Sequence, residues 1–515
     1  MAPHDYPKGS IPKRLIVAIM IFIACATSFM LRVQMSINII AMVQASTKSD
    51  ITTPMPANQA ITQETVSTAS ESFTNETLPV TTLGPPLTVF GNDPEASKKK
   101  LRYYGPRYNW DQRMQGQILG AYYYGYLFTS LPAGMMADRF GAKVLLTISF
   151  VLSSITIALT PVFASLGAWY VIGSRVFVGV LAGFVYPALH KLISRWIPPN
   201  ERGKVIACLS GGGTFGTVVT WPISGLIIDR LGWDYAFYLP ALFVLAIAVI
   251  WISLIENSPA KHKTISDEER LYIEDSLGAT ISKAKSWPPF RQVFTSLPYL
   301  SLLLLHYGNF WGMNLFSTQT PKFINEVLGF KLSNAGILSS LPYLARMFSG
   351  FFFGIIGDRI RQKELMSTTA IRKTFCFVSH ILPGTFLIVL PFVAKDPLVC
   401  VGCMIACLGF NGAATITNLV NAQDLAPNFA ATLYGFMNFI GTTAGFLAPM
   451  MVAFYTEESN TIEQWKNVFL ISAGIYILCG CVFVVFGSGK VQKWNDVQAP
   501  TTSSNGVENN NEKKL

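Results

Sequence analysis

Residues 134–143 read GMMADRFGAK, and residues 354–359 read GIIGDR. Each closes a long apolar run, and each carries an Asp-Arg pair, Asp138-Arg139 in the first and Asp358-Arg359 in the second. One such segment alone is a charged turn. The same segment at matching places in two halves of a chain is an internal repeat. Gly134 and Gly141 permit close approach of neighbouring helices. Asp138, Arg139 and Lys143, with Asp358 and Arg359 in the second copy, are placed to pair charges across a gate.

Composition sets the class of molecule around these two segments. Of the 515 residues, 51% are hydrophobic and only 13% are charged. Ordinary soluble domains carry about 25% charged residues, so no water-facing surface of the usual kind can be built here. Apolar runs of about 20 residues, each long enough to cross a bilayer, recur from end to end. The net charge of +10 would suit nucleic acid. The lysines and arginines, however, sit in short polar loops and tails, which makes them a topology signal, and no nucleic-acid partner is expected. The eight cysteines all fall in apolar segments and read as packing residues. Cys400, Cys403 and Cys407 have helical spacing but no His or carboxylate beside them, so no metal site is expected.

Apolar runs lie at about 15–43, 114–136, 144–163, 169–196, 204–228, 235–255, 298–320, 334–356, 372–393, 397–421, 430–454 and 465–487. They divide the chain into a tail 1–14, a six-helix bundle 15–255, a linker 256–297, a second six-helix bundle 298–487 and a tail 488–515. The first bundle includes a Ser-, Thr- and Pro-rich loop, 44–110, with the glycosylation sequon Asn75-Glu76-Thr77. Lys and Arg in the short loops favour the side of the termini by about two to one, which puts both termini in the cytoplasm and the sequon outside. Two parallel six-helix repeats with matching loop motifs mark the major facilitator architecture: an all-α membrane protein with twelve transmembrane helices in two bundles.

Charge inside a membrane is costly and usually functional. Arg32, Arg175 and Arg346 lie within apolar runs, and no Asp or Glu lies within the core of any run. A cationic interior without counter-ions suits an anion that comes and goes, and a guanidinium fork suits a carboxylate or phosphate. Bonding of these arginines to main-chain carbonyls is the bland alternative. His190 lies about four turns beyond Arg175 on the same face and is a candidate for coupling to protons; His306 and His380 are weaker ones. Tyr124 and Tyr126 are expected to line the cavity. The GGGTFG run at 211–216 lacks the Lys-Ser/Thr of a phosphate-binding loop and reads as close helix packing, as do Gly435, Gly441 and Gly445. Asn418, Asn421 and Asp424 are expected to cap a turn.

The segment ENSPAKHKTISDEERLYIE (256–274) is similar to the central linker of the anion/phosphate cotransporter family, which includes sodium-dependent inorganic phosphate cotransporters, sialin and the vesicular glutamate transporters. LRVQMSINIIAMV (31–43), YYYGYLFTSLPAGMMADRFGAKVLL (122–146), YPALHKLISRWIPPNERGK (186–204), EVLGFKLSNAGILSSLPYLARMFSG (326–350) and NAQDLAPNFAATLYGFMN (421–438) resemble its motifs in the same order. Invertebrate inorganic phosphate cotransporters of the family look most alike. The resemblance implies cation-coupled anion transport, with anion-binding arginines at Arg32 and Arg175 and the fourth-helix histidine at His190. Departures from the family pattern bear on coupling. Val178 and Ala182 stand where proton-using members carry glutamate, Leu119 replaces the second-helix histidine of the glutamate carriers, and Asn309 replaces their seventh-helix arginine.

The expected function is secondary active transport of a small anion, inorganic phosphate or an organic anion, by alternating access. Arg32, Arg175 and Arg346 would hold the substrate. Sodium is the expected coupling ion, with the proton second. No other cofactor is expected. An uncoupled facilitator or exchanger of organic anions is the alternative. A channel would need a continuous pore lined by charge rings, and the two-half repeat argues against one; an enzyme lacks a nucleophile, metal cluster or paired carboxylates at membrane depth. A monomer in the plasma membrane is expected.

Overall fold

The computed structural model describes residues 12–44, 104–130, 132–198, 201–278 and 288–495. The sequon at Asn75 and most of the loop and tails around it lie outside the described residues, as does the centre of the linker.

Among the described residues the chain forms twelve long helical runs: α1 (Lys13–Met42), α2 (Gln112–Ser130), α3 (Ala142–Ala158), α4 (Ala168–Trp196), α5 (Arg202–Leu231), α6 (Tyr235–Leu254), α7 (Leu297–Lys322), α8 (Leu332–Gln362), α9 (Thr368–Val393), α10 (Pro397–Leu425), α11 (Thr432–Tyr455) and α12 (Ile462–Phe486). Seven of them, α1, α4, α6, α9, α10, α11 and α12, are apolar and long enough to cross a bilayer by themselves. The others have a physical reason to fall short. The helix α3 is only 17 residues long. The remaining four carry polar residues that are buried inside the protein, among them Gln115, Thr217, Asn309, Asn314 and Ser339. A helix enclosed by other helices can keep such groups away from lipid.

A short helix, Ala133–Phe140, follows α2 and meets α3 at a bend of 114°. The bend turns on Gly141, which adopts φ +86°, a conformation that costs glycine nothing. A side chain there would also strike Asn257, whose amide carbon lies 3.0 Å from a built Cβ.

The pairing of helices repeats with an offset of six. In the first half α1 packs on α5, α2 on α4 and α3 on α6; in the second α7 packs on α11, α8 on α10 and α9 on α12. The halves meet through α2 with α11 and α5 with α8. Those contacts are concentrated at the end away from the termini and linker. A Cβ on Gly116 of α2 would lie 2.7 Å from Cβ of Ala453, and one on Gly336 of α8 would lie 2.5 Å from the carbonyl of Trp221 in α5. Toward the linker end, a Cβ on Gly203 of α5, Gly354 of α8 or Gly435 of α11, or on Gly134 of the short helix after α2, would meet nothing within 4 Å. The halves are therefore in close contact at the far end.

Candidate functional site

The site is built on a break in α1. Helical hydrogen bonding stops at Val33 and restarts at Met35, with Ile37 and Asn38 amides both donating to the carbonyl of Gln34 at 3.3 and 3.1 Å. Carbonyls freed at such a break need new donors. Arg175 supplies two of them: Nη1 donates to the Leu31 carbonyl at 3.1 Å and Nη2 to the Arg32 carbonyl at 2.9 Å. Ser36 Oγ donates to the Val33 carbonyl at 2.7 Å and accepts from Trp221 Nε1 at 2.9 Å. Arg175 is buried, lies over the Tyr122 ring at 5.3 Å, and its Nε has no partner. The bland carbonyl-bonding alternative thus describes the geometry of this arginine.

Arg32 is placed differently. It is half-buried, and its Nε and Nη2 donate to Tyr123 Oη at 3.2 and 3.1 Å, while Nη2 also donates to Asn314 Oδ1 at 2.8 Å. Its guanidinium lies 4.7 Å from the Tyr123 ring centroid and 5.1 Å from that of Phe29. All these partners are neutral. Among the described residues no carboxylate forms an ion pair with Arg32, Arg175 or Arg346. Nη1 of Arg32 has no protein partner there and is not a buried orphan, so it faces open space.

Sequence reading missed the partners Tyr123 and Asn314 and chose Tyr124 and Tyr126. Helical period could have separated them. Residues 122, 123 and 126 share one face of α2, whereas 124 points about 200° away from 126. Tyr124 accordingly packs on α11, its ring 4.7 Å from Phe446 and its hydroxyl 3.4 Å from Met450 Sδ. Tyr126 stacks on Tyr122 at 6.2 Å, behind the arginine. His190 is exposed, 6.5 Å from the Tyr186 ring, and has no hydrogen bond among the described residues. His380 is a packing residue, held by Ser379 Oγ at 2.8 Å and the Leu305 carbonyl at 3.0 Å. His306 is buried and contacts Asn438 Oδ1 at 3.3 Å.

The first copy of the repeated loop ties elements within its own half. Asp138 pairs with Lys191 of α4. Lys143 pairs with Glu256 at 2.6 Å, and its amide donates to Asn257 Oδ1 at 2.9 Å. Exposed Arg139 lies 5.6 Å from the Phe140 ring. Asp358 and Arg359 are exposed and make no side-chain bond among the described residues. Asp424 does not cap a turn: its carboxylate accepts from Arg372 Nε at 2.7 Å, joining α9 to α10. Asn421 Nδ2 donates to the Ser488 carbonyl at 2.8 Å. Gly212 and Gly216 do pack closely, since a Cβ on either would lie 2.5 or 2.3 Å from a carbonyl of α1. A Cβ on Gly445 would lie 2.1 Å from the Tyr123 ring, but Gly435 has open space.

Comparison with known proteins agrees with this geometry. The model of the Major Facilitator Superfamily matches residues 17–449. Human sialin is 33% identical over 76% of this chain and 78% of its own length. Human vesicular glutamate transporter 2 is 32% identical over 76% of this chain and 67% of its own. A Drosophila melanogaster protein named for inorganic phosphate cotransport is 29% identical over 96% of this chain and 88% of its own. Among solved structures, a bacterial homologue of the human lysosomal transporter Spinster, in an inward-facing unoccupied conformation, superposes with TM-score 0.63 at 13% identity over 93% of this chain and 97% of its own. A D-xylose-proton symporter superposes with TM-score 0.59 at 14% identity over 93% and 100%. The protein is a multi-pass membrane transporter of the major facilitator fold and not an enzyme. It belongs to the anion/phosphate cotransporter family within that superfamily, with sialin, the inorganic phosphate cotransporters and the vesicular glutamate transporters.

Proposed function

We propose that the protein carries a small anion, inorganic phosphate or an organic anion, by alternating access, and that Arg32 binds it. One observation carries this reading. Arg32 is held only by neutral oxygens, with one Nη group free in the space between the halves. A half-buried guanidinium with no counter-ion binds an incoming anion strongly, by charge-assisted bonds that Tyr123 and Asn314 aim. Arg175 fixes the main chain beneath it. The names of the sequence relatives, which include a glutamate carrier and a phosphate cotransporter, support an anionic substrate.

Sodium is the coupling ion in this reading and the proton the second choice, because Val178 and Ala182 offer α4 no carboxylate to protonate. The same absence favours one other reading, an uncoupled exchanger of organic anions. We place the protein as a monomer in the plasma membrane with both termini in the cytoplasm, so that Asn75 lies outside for glycosylation. The test is uptake of labelled phosphate into proteoliposomes under a sodium, proton or null gradient, with wild type and Arg32→Gln. Sodium-driven uptake that the variant loses supports the proposal. Counterflow without any gradient supports the exchanger. No movement of phosphate or any organic anion under any condition sinks both.

A further inference from the structure

The second half carries a counterpart to the Arg32 arrangement. Arg346 of α8 is half-buried, and its Nε donates to Asn411 Oδ1 of α10 at 2.9 Å. Neither Nη group has a partner among the described residues, and neither is a buried orphan, so both reach open space. Lipid-exposed Phe348 lies about 200° around the helix from Arg346, so the guanidinium points inward. The Tyr476 ring of α12 lies 5.5 Å from that of His380, the neighbour of Ser379 whose carbonyl accepts from Asn411 Nδ2, and the Tyr476 hydroxyl is buried without any partner. Gly312 of α7 makes room for that hydroxyl: a Cβ at 312 would lie 1.9 Å from it. An orphan buried hydroxyl beside an uncompensated guanidinium is a donor set waiting for an acceptor.

The two arginines converge on one turn of α7. Asn314 holds Arg32 at 2.8 Å, and the carbonyl of Met313 accepts from Tyr343 Oη at 2.6 Å. Tyr343 precedes Arg346 by about one turn of α8, on the same side of the helix. Each pole thus gathers one Arg, one Tyr and one Asn: Arg32 and Tyr123 of the first half with Asn314 of the second at one, and Arg346, Tyr476 and Asn411, all of the second half, at the other. Arg175 is turned to the carbonyls of Leu31 and Arg32, so Arg32 and Arg346 are the two unneutralised charges that reach open space. A monoanion compensates one of them and leaves the other buried. An anion with an acidic group at each end compensates both.

We propose that Arg346 and Tyr476 form a second anion pole, and that the substrate class is small anions with two separated acidic groups, dicarboxylates first among them. This rests on the carrier reading above and narrows it. The test compares succinate with butyrate, which has the same carbon length and one carboxylate, in proteoliposomes of the full-length protein. Wild type is expected to show a KM for succinate about tenfold or more below that for butyrate. Arg346→Gln is expected to abolish that preference by raising the succinate KM about tenfold or more. Tyr476→Phe, which keeps the ring packing, is expected to reduce the preference in the same direction. Equal KM values for the two acids in wild type overturn the proposal and leave the carrier reading standing. So does a preference that neither variant alters, or saturable phosphate uptake that succinate does not inhibit. If no anion is carried at all, the carrier reading falls and this proposal with it.

Discussion

Arg175 donates from Nη2 to the main-chain carbonyl of Arg32 at 2.9 Å and from Nη1 to that of Leu31 at 3.1 Å, so one membrane arginine fixes the backbone that presents the other. Removing it leaves two buried carbonyls without donors, at about 1–3 kcal/mol each. Arg175→Gln is therefore expected to lower the melting temperature in detergent and to reduce anion uptake together. Arg32→Gln is expected to abolish uptake with little change in melting, since its partners Tyr123 and Asn314 are neutral and remain in place. An Arg175→Gln protein that melts like wild type yet carries nothing would assign Arg175 to the anion instead.

Arg372 and Asp424 form an ion pair at 2.7 Å with side chains 5% and 10% exposed. Arg372 Nη1 adds a bond to the Ile416 carbonyl at 2.7 Å. Breaking a buried pair leaves one charge alone in a low-dielectric interior, which typically costs about 3–5 kcal/mol. Asp424→Asn should therefore lose most folded protein on extraction into detergent. Replacing both partners with apolar residues, Arg372→Met with Asp424→Leu, should recover much of that loss. Fluorescence-detected size exclusion across a temperature series reads both outcomes.

How far the sequence told the fold, and where it failed, follows from what each residue's signal depends on. The repeated loops and the apolar runs are local patterns, so the helical membrane class and the two-half plan were legible from them. Arg32, Arg175 and Arg346 stood out because charge in an apolar run is rare. Their different tasks did not, because Arg175 is defined by the carbonyls of Leu31 and Arg32, 144 and 143 residues away. Tyr123 was legible in principle from the helical period and was missed in favour of Tyr124. Asn314 and Tyr476 carried no signal at all. An Asn or a Tyr in a membrane helix is ordinary until the structure shows which guanidinium it faces. Asp424 looked like a cap because its partner Arg372 lies on another helix, 52 positions earlier.

The contact between α2 and α4 depends on two glycines. A Cβ on Gly125 would lie 1.9 Å from the Val176 carbonyl, and one on Gly179 would lie 1.9 Å from the Tyr122 carbonyl. Both obstacles are backbone and cannot swing aside. Gly179→Ala should push α2 off α4, displace Tyr122 and Tyr123 beneath Arg32, and remove uptake along with most of the folded protein. Gly435→Ala, with open space around it, should fold and extract like wild type. Comparable yields of the two variants would refute this account of the helix pair.

Lys322 closes the far end of the protein. It is only 3% exposed, and its ammonium lies against Gln112 and Gln115 of α2, with Glu326 at 4.0 Å. These contacts join a helix of the second half to one of the first. A buried ammonium needs such oxygens to offset its lost hydration, so the latch is favourable only while the halves are together. Alternating access requires them to separate at this end when they close at the other. Locking the contact should therefore stop transport without unfolding anything. The measurement is uptake by a Gln115→Cys and Lys322→Cys double variant, in a background where exposed Cys208 and Cys481 are serine. Oxidation is expected to abolish uptake, reducing agent to restore it, and neither single variant to respond. Undiminished uptake by the fully cross-linked protein would show that the far end need not open during transport.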